Sequence, residues 1–461
     1  MSARPIPAIA VLALSSAITS LDFTIIYLAI PRIRTAFAVS VADTQWVAAS
    51  YAVAYGGFLL LGGRLSDAYG PRRLFLLGLV GFGICSALGG VAPTLAVLVA
   101  GRIGQGLSAA MLFPATLALL HQKYADSTGK RRALSTWAAA GSGGLIAGTV
   151  LGGVLTQLAG WRAVMWVNVP LVITAMILMA LSLPREAGTR NDVGSPSAPG
   201  VGISSWVSSL SVAIVTASVC LVALRLQTWG PGWQTWIVVA VAGCAAIIAR
   251  LLVRGSGITL IPARVARDAG VRTATVLGAV FMGAFGTVYF LLSLDLQTVR
   301  GIPPILTGLA LIPGSVGGVI GSVVAARLLG AYPPRTVARG AMIAGGVGLA
   351  CVAFGVTAPL PILLLVLAVS SIAQGVAYAS TFALAGSTVQ VPDQGVASGV
   401  ASTGQQVGSA MGLAVAALCI QIATASGGSS GMRGGIVLAL GIGAGAVFLS
   451  GLNRTKSRMN A

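Results

Sequence analysis

The sequence predicts an all-α polytopic membrane protein with fourteen spans, arranged as two six-helix bundles with two additional helices between them. Three observations carry this. Of the 461 residues, 56% are hydrophobic and 8% charged, with a mean hydropathy of +0.94, whereas a soluble domain carries about 25% charged residues. Cutting the chain at its charged and Pro/Gly-rich breaks leaves fourteen mainly apolar segments near the ~20 residues a spanning helix needs. With the amino terminus inside, roughly 21 of the 28 Lys and Arg fall on the cytoplasmic side and about 6 outside, Arg102 lying within a span. An even number of spans then puts both termini in the cytoplasm.

The first bundle occupies residues 1–183, with spans near 8–30, 45–63, 74–92, 95–120, 134–157 and 163–183. The apolar run after Arg4 contains Asp22 and leads into further spans, so it reads as a first transmembrane helix and not as a cleaved signal. Residues 184–205 hold Arg185, Glu186, Arg190 and Asp192 among Gly, Ser and Pro, a composition that cannot bury a core and predicts a flexible cytoplasmic linker. Two further spans, 206–227 and 234–253, make up the segment 206–253 and precede a basic cytoplasmic loop, 254–272. The second bundle, 273–452, has spans near 273–296, 304–328, 336–357, 361–385, 396–424 and 433–452, and a cytoplasmic tail of 453–461 follows. Two six-helix halves around a central site are the arrangement expected of a secondary transporter, although the sequence itself shows no convincing repeat.

The same composition excludes several classes. The net charge of +19 is spread between apolar segments, and no basic run exceeds Lys130-Arg131-Arg132, which argues against nucleic acid. Cys85, Cys220, Cys244, Cys351 and Cys419 all fall within predicted spans, so no disulfide framework or metal site is indicated. His121 is the single histidine, at the end of the fourth span, which leaves triad catalysis and multi-histidine metal ligation with little to stand on.

What chemistry there is centres on charge inside the bilayer, where a charged group costs roughly 2.5 to 3.5 kcal/mol even on lenient insertion scales. Asp22 sits in the first span. A carboxyl at that depth has a proton occupancy set by solvent access and by its partner, the requirement for a proton carrier; it equally serves as a static joint between helices. Arg102, in the fourth span, cannot deprotonate there and must face a polar cavity, a carboxylate or backbone carbonyls. Between the second and third spans, Gly63, Gly70 and Pro71 set a tight turn that Arg64, Arg72 and Arg73 keep cytoplasmic, and Asp67 either pairs with these bases or caps a helix.

Gly144, Gly148 and Gly152, with Gly153 beside them, recur every four residues in the fifth span and make a flat ridge for close helix contact; Gly404, Gly408 and Gly412 do the same in the thirteenth. In the ninth span, Phe281, Phe285, Val288, Leu292 and Asp295 share one helical face, either a cavity wall ending in a carboxylate or a helix end near water. A cavity of that kind favours cationic aromatic substrates. Trp46, Tyr51, Tyr55, Trp137 and Tyr378 are further candidates for a substrate cavity, or face lipid.

These motifs resemble those of the fourteen-span drug/proton antiporter branch of the major facilitator superfamily (MFS), a group of multidrug efflux transporters. Leu21-Asp22-x-Thr24-Ile25 with Ala29-Ile30-Pro31 is similar to its first-helix motif, Gly63-x-Leu65-x-Asp67-x-x-Gly70-x-Arg72-Arg73 to the loop motif, and Arg102-x-x-Gln105-Gly106-x-x-x-Ala110 to the fourth-helix motif. Gly144-x-x-x-Gly148-x-x-x-Gly152-Gly153 resembles the fifth-helix antiporter motif, with Thr149 standing where that motif has proline. Gly160-Trp161-Arg162 and Asn168-Val169-Pro170 match the stretch that follows it, and Leu296-Gln297 and Gln405-Gln406-x-Gly408-x-x-x-Gly412 are similar to later marks of the branch.

The resemblance implies the MFS fold and a proton-coupled exporter of small amphipathic drugs or antibiotics in the plasma membrane, working as a monomer with the proton gradient as energy source and no cofactor. Asp22 and Arg102 would couple proton binding to conformational change. Asp67 with Arg72 would latch the cytoplasmic side, with Asp67 meeting the thirteenth span near Ala397 to Gly399. A dedicated exporter of one metabolite, siderophore or lipid is the alternative within transport, and a membrane-embedded enzyme the remote one.

Overall fold

In the computed structural model, residues 8–124, 127–182, 203–229, 232–256, 261–390, 393–424 and 428–452 are described. Most of the expected linker and the whole of the expected tail lie outside them. The first six helices are α1 (Ala8–Phe37), α2 (Trp46–Tyr69), α3 (Pro71–Gly90), α4 (Leu95–Lys123), α5 (Ser127–Leu158) and α6, which is built of Trp161–Trp166 and Asn168–Ser182. Next come α7 (Ile203–Trp229), α8 (Trp233–Ser256) and α9, made of Ala269–Phe285, Val288–Leu294 and a π-helical turn at Asp295–Val299. The chain continues with α10 (Pro304–Ala331), α11 (Pro334–Gly355), α12 (Leu360–Ser387), α13 (Gln394–Thr424) and α14 (Gly428–Leu452). Among the described residues, 13 helices are long and apolar enough to cross a membrane, and α8, with its apolar stretch Trp233–Ile247, completes the series. The protein is an integral, multi-pass membrane protein.

Helix ends follow local chemistry. Thr94 accepts from Val97 N at 3.4 Å to cap α4, and Asp268 accepts from Val271 N at 2.8 Å to cap α9. Gly70, at φ +87°, makes the turn between α2 and α3, in a region where a side chain would be strained. Several boundaries differ from the sequence expectation, among them α2, which stays helical to Tyr69 and so takes in Gly63 and Asp67, expected in the turn. Helix α1 continues through Pro31 to Phe37, since one missing N–H leaves the neighbouring helical bonds able to carry the chain on. Helix α6 is interrupted in its hydrogen bonding at Val167, whose backbone stays helical (φ −59°, ψ −28°), because Pro170 cannot donate to the carbonyl one turn back. Helix α9 breaks after Phe285, where Gly286 weakens the helix and Thr287 Oγ1 takes the Ala284 carbonyl at 3.0 Å.

The chain forms two compact units, Met1–Ala263 with Leu296–Ile312, and Arg264–Asp295 with Pro313–Ala461. In the first, α1 packs on α5, α4 on both α2 and α3, and α7 on α2 and α8. Its interior includes Leu12, Ile18, Phe75, Leu79, Phe82, Leu112 and Val172 from α1, α3, α4 and α6. In the second, α9 packs on α13, and α11 on α12 and α14.

Both glycine ridges are contact surfaces. Cβ atoms built on Gly144 and Gly148 would overlap the α1 backbone at Ala17 and Leu21, and one on Gly152 would lie 2.9 Å from Ile25 O. In the second unit, Gly404 would meet Thr275 O at 2.9 Å, while Gly408 and Gly412 would overlap the α9 backbone at Ala279 and Gly283. The first and fifth helices of each six thus pair through the same device; the sequence places both ridges and leaves their partner helices unnamed.

Outside the spans, Arg264 donates to both carboxylate oxygens of Asp393 at 2.5 and 2.8 Å, in a pair whose arginine side chain is 69% exposed. The Arg264 hydrogen bond holds the Asp393 carboxyl below the usual carboxylate range, outweighing the opposing effect of partial burial.

Gly408→Ala forces a Cβ into backbone and should cost about 1–3 kcal/mol. Gly445→Ala, with nothing within 4 Å, should be neutral or gain up to about 1 kcal/mol from helix propensity; thermal unfolding of the purified variants compares the two. Because the folded Asp393 value is depressed, the stabilisation is complete above the unfolded value of about 3.9 and disappears as pH falls through the lower folded value. The loss of thermal stability in Asp393→Asn should therefore be present at neutral pH and shrink below about pH 4.

Candidate functional site

The site lies inside the first unit, where α1, α2, α3 and α6 each bring one polar group, and α4 two, to the same point. Asp22 is 0% and Arg102 1% exposed, and Arg102 Nη1 donates to Asp22 Oδ2 at 2.5 Å. The remaining capacity of the guanidinium is directed by two more bonds, Nε to Val47 O at 2.9 Å and Nη1 to Gln105 Oε1 at 2.9 Å. On the other carboxylate oxygen, Asp22 Oδ1 accepts from Gln105 Nε2 at 3.2 Å and from Asn168 Nδ2 at 2.7 Å. Both amides also donate to Ser86 Oγ, at 2.7 and 2.9 Å. Every recorded partner of the carboxylate is a donor, so the network is organised around the ionised form.

Helix packing makes these approaches feasible. Gly106 has no Cβ where one would come within 2.5 Å of Tyr51 O, so α2 can press against α4 beside the network. Thr24 Oγ1 donates to Leu145 O at 3.0 Å, tying the turn after Asp22 to α5. Thr149, at the place of the motif proline, donates to the same carbonyl at 3.1 Å and to Ile146 O at 2.8 Å, so α5 runs without a proline kink.

From the ion pair a row of rings extends through the unit. Arg102 Cζ lies 4.6 Å from the Tyr51 ring centroid, and Tyr51, Tyr55, Phe113 and Trp137 follow at centroid spacings of 5.8, 6.5 and 5.6 Å. The Trp137 indole N–H is buried without an acceptor, a polar handle inside the row. Trp46 is half-buried at the start of α2. The sequence singled out Tyr51, Tyr55 and Trp137 but missed Phe113.

In the loop motif, Asp67 and Arg73 are exposed and Arg72 is half-buried. The glycine that lets α2 meet α4 is Gly62, whose Cβ would overlap Ala110 O, while one on Gly63 meets only Pro114 Cβ at 3.9 Å. Gly153 differs from the rest of its motif: a Cβ there would overlap Pro304 O.

In the second unit, Phe281 and Phe285 are buried with centroids 5.3 Å apart, and Phe285 closes on Gly345. The expected stripe is buried throughout, and Asp295 is 0% exposed, accepting from Arg433 Nε at 3.4 Å, so its carboxylate is not at a wet helix end. Tyr378 meets Phe382 edge to face at 5.2 Å and is 43% exposed. Among the described residues no cluster of His, Cys, Asp and Glu could hold a metal ion, and the side chain of His121 is not among those described.

Two residues of the network escaped the sequence reading. Ser86 belongs to no motif, and Asn168 stands in the sequence only as part of Asn168-Val169-Pro170. The usable signal was that Asn168 is the sole asparagine in any predicted span.

Comparison with known proteins follows the same lines. The chain is 33% identical over 406 residues to the puromycin resistance protein pur8 of Streptomyces alboniger, covering 86% of this chain and 78% of that one. It is 32% identical to the cephamycin export protein CmcT of Amycolatopsis lactamdurans, covering 86% and 80%, and 30% identical to the lincomycin resistance protein of Streptomyces lincolnensis, covering 88% and 82%. Among solved structures, an auto inhibited POT family peptide transporter superposes with a TM-score of 0.66 at 16% identity, over 96% of this chain and 95% of the other. A D-xylose-proton symporter does so at 0.65 and 14%, over 96% and 95%; these two bear on the fold alone. The Major Facilitator Superfamily profile matches residues 12–413, and the chain belongs to that family.

Proposed function

We propose that this transporter exports small amphipathic compounds, antibiotics among them, in exchange for protons by alternating access. The observation that carries the proton coupling is the fully buried Asp22–Arg102 pair, held by donors from α4 and α6. An ionised pair at that depth is stable only while its geometry is complete. Protonation of Asp22 removes one charge, weakens the hold on Arg102 and so changes which packing of the helices is favoured. Free energy is transferred from the gradient because proton and substrate occupy the protein alternately.

The names of the relatives support export of antibiotics, and the row Tyr51, Tyr55, Phe113 and Trp137 offers planar, apolar surface beside the charge. Relatives named for single compounds also favour a second reading, a dedicated exporter of one product; a broad resistance panel separates the two, since a dedicated exporter protects against few compounds. We assign both termini to the cytoplasm from the distribution of Lys and Arg, the location to the plasma membrane, and Asp67 with Arg72 to a cytoplasmic latch. The working unit is a monomer in lipid, with no cofactor and no enzymatic activity.

In inverted vesicles, wild type should take up a cationic dye such as ethidium only with a pH gradient, and Asp22→Asn should keep expression and dye binding but lose this uptake. Undiminished gradient-driven uptake by the variant removes Asp22 from the carrier role. Arg102→Ala leaves the Asp22 charge buried alone and should cost about 3–5 kcal/mol. Adding Asp22→Asn should restore much of that loss in thermal unfolding, because the stranded charge is gone.

A further inference from the structure

The partners of Asp22 are matched to its ionised form, which leaves open what receives the hydrogen once the carboxyl is protonated. Arg102 Nη1, Gln105 Nε2 and Asn168 Nδ2 all donate to it. A carboxylic acid has an O–H to donate, and a donor cannot accept it. Three side-chain oxygens lie in the network. Gln105 Oε1 is taken by Arg102 at 2.9 Å, and Ser86 Oγ already receives two amide hydrogens. The third, Asn168 Oδ1, is buried with no hydrogen-bond partner, and Asn168 itself is 0% exposed.

We propose that Asn168 is a positioning residue that reads the protonation state of Asp22 by turning its side-chain amide over. While Asp22 is ionised, the amide must present Nδ2, because the opposite orientation would set its oxygen against the carboxylate. When Oδ1 of Asp22 takes a proton from the aqueous phase, a half-turn about the Asn168 Cβ–Cγ bond brings its Oδ1 to the position now held by Nδ2. There it accepts the new O–H of Asp22 and the Ser86 hydroxyl hydrogen, which donates to no group in the network at present. Ser86 keeps the Gln105 bond, Gln105 keeps Arg102, the Asn168 amide hydrogens give up both bonds they now make, and no covalent bond other than the O–H of Asp22 is made or broken.

No other titratable group in the surroundings takes this role. Tyr51 on α2 is buried against Arg102, Cys85 on α3 is turned to Gly104, and α5 meets α1 through glycine and threonine. Asn168 is the first residue after the interruption of α6 at Val167. The inference rests on the reading of Asp22 as proton carrier and adds the group that senses its state.

Side-chain carbon and nitrogen labels on asparagine, with carboxyl carbon labels on aspartate, test it in the full-length chain in lipid nanodiscs. Only Asn168, Asn191, Asn453 and Asn460 would carry the asparagine label. Asn168 and Asp22 are assigned by loss of signal in Asn168→Leu and Asp22→Asn, and by the through-space correlation of their Cγ atoms in wild type should a variant not fold. As pH falls, the Asn168 Cγ resonance should move downfield as its carbonyl gains donors, and its amide protons upfield as they leave the carboxylate, both with the midpoint of the Asp22 Cγ titration. If Asp22 titrates while the Asn168 signals stay in place, the role of Asn168 is overturned and the carrier reading stands. If Asp22 does not titrate while the protein remains folded, both fall.

Discussion

A carboxylate and a guanidinium removed from water each forfeit several kcal/mol of hydration, and a contact between the two recovers this only when the remaining hydrogen-bonding capacity is also met. The Asp22–Arg102 pair meets it with one backbone carbonyl, one glutamine and one asparagine drawn from separate helices. Much of the local architecture follows from that requirement. Val47 O must reach Arg102, so α2 has to come close to α4. Gly106 and Gly62 are the residues at which a side chain would prevent it.

The glycine ridges solve a related problem in both units. In lipid there is little hydrophobic gain from bringing two helices together, so close van der Waals contact between backbones takes its place. A ridge without side chains also lacks interlocking knobs, and so permits small displacements along the pair without climbing over a packed residue. Tight association and mobility along the contact are compatible here.

The span count was legible because the bilayer demands about 20 apolar residues each time, and Asp22 and Arg102 were legible because charge at that depth is expensive. Neutral polar residues carry no such mark. Ser86 and Asn168 became part of the network only when α3 and α6 were folded against α1, and no spacing along the chain encodes that meeting. Likewise, the ridge at Gly144, Gly148 and Gly152 announced a close neighbour without naming α1. The break in α6 was hidden because Pro170, compatible with a helix start, acts on a carbonyl a turn earlier, and the break in α9 because Thr287 competes for carbonyls within its own helix.

The carbonyl of Leu145 is shared by two hydroxyls, Thr149 from its own helix and Thr24 from α1. Rotation of α5 about its long axis would carry that oxygen around and pull on the turn two residues beyond Asp22. With no proline to swivel at that level, α5 behaves as a stiff shaft and the Thr24 hydroxyl as a tooth engaged with it. Torque applied anywhere along α5 is thereby delivered to the segment that holds the buried carboxyl.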